Sequence, residues 1–269
     1  MIIAAGAVGR TTGAVLGRRN PVAKLGAAFI PALTLLVGVD PVSSGLILIA
    51  ALLSVPAWGL TWREVFRRGW PLLLGVTTIS LGNALFTARK GGAVLVDAGP
   101  FLLTTESVAA GSTAGMRLAA IALPGVLAVL TIDPVDLADS LVRHLKVPAR
   151  FAYGSLAALR LAPLMATEWE ILGRARRARG LEPGGNPLAA IRLFGGKLFA
   201  LLVGAVRRGS QLAVAMDARG FDSQRARTTA RISRFGPADA VLLGCSVALT
   251  AAAVALAVVT GAWNPVFSS

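Results

Sequence analysis

The chain has 269 residues, of which 55% are hydrophobic, a mean hydropathy of +0.70, and 27 Lys and Arg against 13 Asp and Glu, for a formal net charge of +14. Such a composition excludes an ordinary soluble domain and indicates a membrane protein. The excess positive charge calls for an acidic neighbour, and the long apolar segments argue for anionic lipid or an acidic protein rather than nucleic acid.

The N-terminus spreads Arg10, Arg18 and Arg19 among Gly and Ala. It lacks the short apolar core and small-residue cleavage site of a secretory signal, so no cleaved signal is expected. A helix crosses about 30 Å of hydrocarbon with about 20 apolar residues. Five stretches meet that need, roughly 22 to 38, 42 to 60, 70 to 88, 110 to 132 and 238 to 261. Gly38-Val39-Asp40-Pro41 is a tight turn that makes the first two an antiparallel hairpin. Residues Thr61 to Trp70 mix arginine with aromatic rings and read as a basic loop at the membrane interface. Arg117 falls within the fourth apolar segment and is expected to support assembly by snorkelling or pairing near the outer end of its helix.

Basic residues sort the segments into two sides. Residues 1 to 24 contribute 4, the Arg63 region 3, and 133 to 236 contribute 17, giving 24 on one side against Arg89 and Lys90 on the other. Retention of Lys and Arg in the cytoplasm places the N-terminus and the 133–236 region there. The tail from Trp263 to Ser269, with an interfacial Trp and no basic residue, lies outside.

A region as long as 133–236 must fold. Asp133-Pro134-Val135-Asp136 reads as a helix start, with Asp133 as N-cap and Pro134 at the first helical position. Asp133, Asp136 and Asp139 also share a helix face, so a metal or acid/base cluster is the alternative reading. His144, alone beside Arg143 and Lys146, reads as an interfacial side chain rather than a ligand. Cys245, the only cysteine, excludes a disulfide framework or thiolate site and reads as packing. Two helical stripes follow, Leu156, Leu159, Pro163, Ala166, Trp169 and Gly173, then Ile191, Phe194, Leu198, Leu201 and Ala205.

Each stripe ends in the same phrase, Ala178-Arg179-Gly180-Leu181-Glu182 and Ala218-Arg219-Gly220-Phe221-Asp222, with the arginines 40 positions apart. The phrase suits a helix C-terminus, where Gly adopts the left-handed cap. An arginine exposed there can grip a carboxylate through paired hydrogen bonds, with Leu181 or Phe221 as an apolar anchor. Arg174, Arg176 and Arg177 form a further basic run that suits either lipid or a protein partner.

Taken together, these residues resemble the transmembrane T component of energy-coupling factor (ECF) transporters, which include cobalt, biotin and vitamin importers. The resemblance spans most of the chain. It rests on Asn20-Pro21 with Lys24-Leu25, on Arg117, on Thr131 with Asp133-Pro134, on Phe151 to Arg160, on Pro163 with Glu168, and above all on the paired Ala-Arg-Gly phrases. Arg225-Ala226-Arg227-Thr228 is similar to a basic-basic-Thr element of the family, loosened by Ala226. The resemblance implies an all-α polytopic fold with about five transmembrane helices and a helical cytoplasmic coupling domain, divided as 1–132, 133–236 and 237–269. It also implies two partner ABC-type ATPases, each receiving one Arg of the repeat, and a separate membrane S subunit that selects the vitamin or metal ion.

No catalytic, cofactor or metal residues are expected. Gly195-Gly196-Lys197-Leu198 fails as a phosphate loop, because Ile191 stands at the first Gly position and Leu198 replaces the magnesium-ligating Ser or Thr. Neither a Gly-x-Ser-x-Gly elbow nor a His-Glu-x-x-His helix occurs. The competing readings are a self-sufficient secondary transporter, for which Arg117 is thin support, and a basic membrane-anchored scaffold.

Overall fold

Two helices begin side by side at Asn20 and Asp239 in the computed structural model, which describes residues 14–87, 91–98, 101–182, 184–221 and 233–263. In chain order the elements are α1 (Pro21–Val37), α2 (Pro41–Ser54) with a 3-10 turn (Val55–Trp58), α3 (Trp62–Phe86), β1 (Val94–Ala98), β2 (Phe101–Thr104), α4 (Thr105–Thr131), α5 (Pro134–His144), α6 (Ala149–Ala178), α7 (Pro187–Ala218) and α8 (Pro237–Val259). The architecture is all-α and polytopic. The chain divides into two compact units, one taking in residues 138–232 and the other the remaining helices.

Helix starts follow from local chemistry. Asn20, Asp40, Thr61 and Thr104 each accept a backbone N–H of their helix's first turn. Pro begins α1, α2, α7 and α8, where its missing N–H costs no helical bond. Asp133 Oδ1 accepts from Val135 N at 2.7 Å, so the sequence reading of this start holds.

In the membrane unit, α1 and α8 run parallel. Asn20 N donates to Asp239 Oδ1 at 3.0 Å, and Ser246 Oγ donates to Ala27 O at 2.7 Å. The Asn20 amide also donates to Ser233 Oγ at 3.0 Å and Arg234 O at 3.3 Å. Helix α4 runs opposite to α1 and is tied to it at two levels. Lys24, only 2% exposed, donates from Nζ to Gly17 O at 2.8 Å and Thr131 O at 3.1 Å. Arg117 reaches the carbonyls of Leu35 and Leu36 from mid-helix, not from the outer end that the sequence suggested.

Helices α3 and α4 approach through Gly111 and Gly115, a small-residue pair four apart that lets backbones close. A Cβ on Gly111 would lie 2.4 Å from Ser80 O, and Ser80 Oγ donates to Gly111 O at 2.7 Å. Trp58, Val65, Leu123, Leu127 and Ala128 form one core; Leu35, Ile47, Ala120 and Ala253 form another. Trp263 lies against Gly38, where a Cβ would meet its ring at 2.6 Å.

Four readings need correction. The supposed loop from Thr61 to Trp70 is the first part of α3, because Thr61 and Glu64 complete a capping box. An antiparallel hairpin, β1 with β2, precedes α4 and was not foreseen. Cys245 is exposed within this chain rather than packed. Among the described residues the five helices long and apolar enough to cross a membrane are Pro41–Trp58, α3, α4, α7 and α8, whereas α1, with 17 residues, is shorter. Helix α7 thus joins the set although the sequence assigns it to the cytoplasmic region.

Candidate functional site

The second unit is built on an antiparallel hairpin of α6 and α7. Near the turn, Arg176 donates to Leu193 O at 2.7 Å. Midway, the rings of Trp169 and Phe194 meet edge to face at 5.2 Å, with Lys197 Nζ 4.0 Å from the Trp169 ring centroid. Farther along, Arg208 pairs with Glu168 and its other terminal nitrogen lies 3.6 Å from Met165 Sδ. At the far end Arg150 pairs with Asp217 at 3.2 Å.

This seam covers only part of the two stripes. Leu156, Trp169 and Gly173 are half-buried, but Leu159, Pro163 and Ala166 are exposed; on α7 only Leu201 of its stripe is half-buried, while Ile191, Phe194, Leu198 and Ala205 are exposed. The helices close on small residues and long charged side chains, which leaves much of the large apolar row uncovered. Gly196 illustrates why: a Cβ there would sit 3.2 Å from the Arg176 guanidinium. Arg176 is therefore committed to the seam, whereas Arg174 and Arg177 are exposed.

The two Ala-Arg-Gly phrases have the same geometry. Ala178 and Ala218 are the last helical residues, and Arg179 and Arg219 are the C-caps with φ, ψ of −92°, 11° and −88°, 8°. Gly180 and Gly220 take φ of +73° and +71°. Gly180 N donates to Arg177 O at 2.9 Å and Leu181 N to Arg176 O at 3.0 Å; Gly220 N donates to Asp217 O at 2.9 Å and Phe221 N to Met216 O at 3.0 Å. Each is a complete Schellman cap, in which left-handed glycine lets the chain reverse and satisfy the terminal carbonyls. Both arginines are exposed, and among the described residues neither guanidinium forms a hydrogen bond or ion pair within the chain.

The fold does not bring the two phrases together. They stand at opposite ends of the hairpin, roughly 45 Å apart by helical rise over the 30 residues of α6. Their supports differ as well. Leu181 and Glu182 are exposed, with Glu182 N donating to Gly180 O at 3.1 Å. Phe221 instead meets the Tyr153 ring edge to face at 6.2 Å, and Tyr153 donates to Asp139 Oδ1 at 2.9 Å. Met216 is buried beside this end. Asp222, Arg225 and Arg227 lie outside the described residues.

Sequence reasoning missed Tyr153, Met216 and the Arg150–Asp217 pair as braces of the second phrase, since contacts between residues this far apart in sequence leave no local pattern. Asp139 serves Tyr153, and among the described residues no cluster of three potential metal ligands occurs. Gly195 to Leu198 lie inside α7, where Gly196 and Lys197 serve the seam.

Comparison with known proteins places this arrangement. The family model described as cobalt transport protein, CbiQ, matches residues 13–230. An energy-coupling factor transporter transmembrane protein EcfT of Listeria innocua is 34% identical over 57% of this chain; the alignment spans 61% of that relative's length. The EcfT of Staphylococcus aureus is 30% identical over 65% of this chain and 70% of its own, and that of Exiguobacterium sibiricum 28% identical over 87% and 91%. With its apolar helices and duplicated caps, the chain is a multi-pass membrane protein that belongs to the CbiQ/EcfT family of ECF transporter T components.

Proposed function

We propose that this chain couples ATP hydrolysis by two partner ABC-type ATPases to uptake through a separate membrane S subunit, and is itself non-catalytic. The observation that carries the reading is the pair of matched Schellman caps, each presenting an arginine whose guanidinium has no partner among the described residues. A guanidinium at a rigid helix end offers a planar fork to a carboxylate, and charge-assisted bonds of this kind are worth about 1.5–3 kcal/mol each.

Each of Arg179 and Arg219 enters an acid-lined groove of one ATPase. Leu181, Glu182 and Phe221 flank the contact, and Asp222, Arg225 and Arg227 extend it beyond the second cap. A separation of about one helix length suits two ATPases better than one groove. The α6–α7 hairpin acts as a lever because charged staples and the Trp169 cluster hold its helices together along their length. Its exposed apolar row is covered in the assembly by membrane or by membrane-protein surface. The N-terminus and 133–236 face the cytoplasm, in keeping with the basic asymmetry. The cargo, a vitamin or a metal ion, is selected by the S subunit.

The test is uptake and ATPase co-purification for Arg179→Glu, Arg219→Glu and the double variant. Each single change should weaken ATPase binding about tenfold or more, and the double change should abolish uptake with membrane insertion unaltered. Near-parental uptake in the double variant would end the proposal.

A further inference from the structure

Between Trp62 and Phe86 the only acidic residue is Glu64. Its Oε2 accepts from Thr61 N at 3.0 Å and Thr61 Oγ1 at 2.9 Å, so its charge is engaged at the helix start. Val65 and Gly69 are the buried positions of this stretch. Trp62, Arg63, Phe66, Arg67 and Trp70 consequently share an outward face and line one shallow groove of about 730 Å³. The three rings are 55%, 68% and 58% exposed, a large apolar area left uncovered beside two cations. Among the described residues neither the Arg63 nor the Arg67 side chain forms a hydrogen bond or ion pair within the chain.

The depth of this face follows from helix length. Twenty-five residues of α3 rise roughly 37 Å, against about 30 Å of hydrocarbon. About the first turn and a half, Trp62 to Phe66, therefore overhangs at headgroup level, where Trp and Arg are both at home, and Arg67, one residue further on, reaches that level by snorkelling. Val65 shares a core with Leu127 and Ala128, and Thr131 receives Lys24, so Arg18, Arg19 and Lys24 lie towards the same end of the unit.

We propose that this groove is a binding site for an anionic phospholipid, with the phosphate between Arg63 and Arg67 and the ester region against Trp62, Phe66 and Trp70. Charge selects the anion. The aromatic ladder selects a lipid over free phosphate, since only a lipid brings apolar surface to cover it.

The full-length chain, purified in detergent and stripped of lipid, is titrated with phosphatidylglycerol or phosphatidylcholine of identical acyl chains and read by native mass spectrometry. An arginine near anionic headgroups contributes about fivefold, so the parent should prefer phosphatidylglycerol by between about five- and thirtyfold. Arg63→Gln/Arg67→Gln should bring that preference close to parity, while Arg18→Gln/Arg19→Gln should retain most of it. If the Gln pair fails to fold, Arg63→Lys/Arg67→Lys is used; it should keep part of the preference, because Lys retains the charge without the fork. Undiminished preference in the Gln pair, or loss of preference in the Arg18/Arg19 pair alone, overturns the proposal. Displacement of bound phosphatidylglycerol by excess inorganic phosphate would show a free-anion site instead. Absence of any preference in the parent would equally overturn it.

Discussion

Arg117, in the middle of α4, donates from Nε to Leu35 O at 2.8 Å and from a terminal nitrogen to Leu36 O at 3.2 Å. These carbonyls belong to the last turn of α1, which has no helical donors left for them. In hydrocarbon no water substitutes. Arg117→Met is expected to lower stability in detergent by about 1.5–3 kcal/mol, and Arg117→Lys to recover part of it. A Met variant that unfolds at the parental denaturant concentration would remove the capping role.

Lys24 plays the matching part at the opposite end of α1, bridging Gly17 O and Thr131 O from a buried position. Lys24→Met preserves the apolar stem but leaves two carbonyls without this donor, at a cost of about 1–3 kcal/mol for each group left unsatisfied. Faster proteolysis near residue 131 should accompany the loss, since Thr131 ends α4. Unchanged thermal and proteolytic profiles would contradict this account.

Two glycines on α4 make an internal comparison. A Cβ at Gly111 would meet Ser80 O at 2.4 Å and Ala84 Cβ at 2.9 Å, whereas one at Gly125 would meet nothing within 4 Å. Gly111→Ala should separate α3 from α4 and lower the melting temperature. Gly125→Ala should be neutral or stabilising by up to about 1 kcal/mol through helix propensity. Melting curves of the two variants in one detergent decide the matter, and the reverse order would be incompatible with the packing described.

Gly180 tests whether cap geometry, and not merely the presence of Arg179, matters to coupling. Its φ of +73° is open to Gly, tolerable for Asn and costly for β-branched residues, and a Cβ there has free space. Uptake should therefore fall in the order Gly, Asn, Ala, Val, with Arg179 intact throughout. Equal uptake for Gly180→Val and the parent would mean that the cap does not aim the arginine.

Local chemistry made several features legible in the sequence alone. Apolar length announced most of the spans, Asp133-Pro134 announced the start of α5, and the Ala-Arg-Gly phrases announced two helix ends, because caps and spans are decided by residues within a turn or two of one another. The Thr61-Glu64 box was equally local; the start of α3 was readable there, though the surrounding aromatics and arginines suggested a loop. Tertiary structure alone decided which faces meet. The stripe of Ile191, Phe194 and Leu198 gave the period of α7 but not which of its residues enter the seam, since Phe194 meets Trp169 there while Arg176 and Glu168 fill much of the rest from another helix. Likewise, neither the carbonyls that Arg117 and Lys24 satisfy nor the placing of Arg179 and Arg219 at opposite ends of one hairpin could be read from the sequence, because each depends on partners tens of residues away.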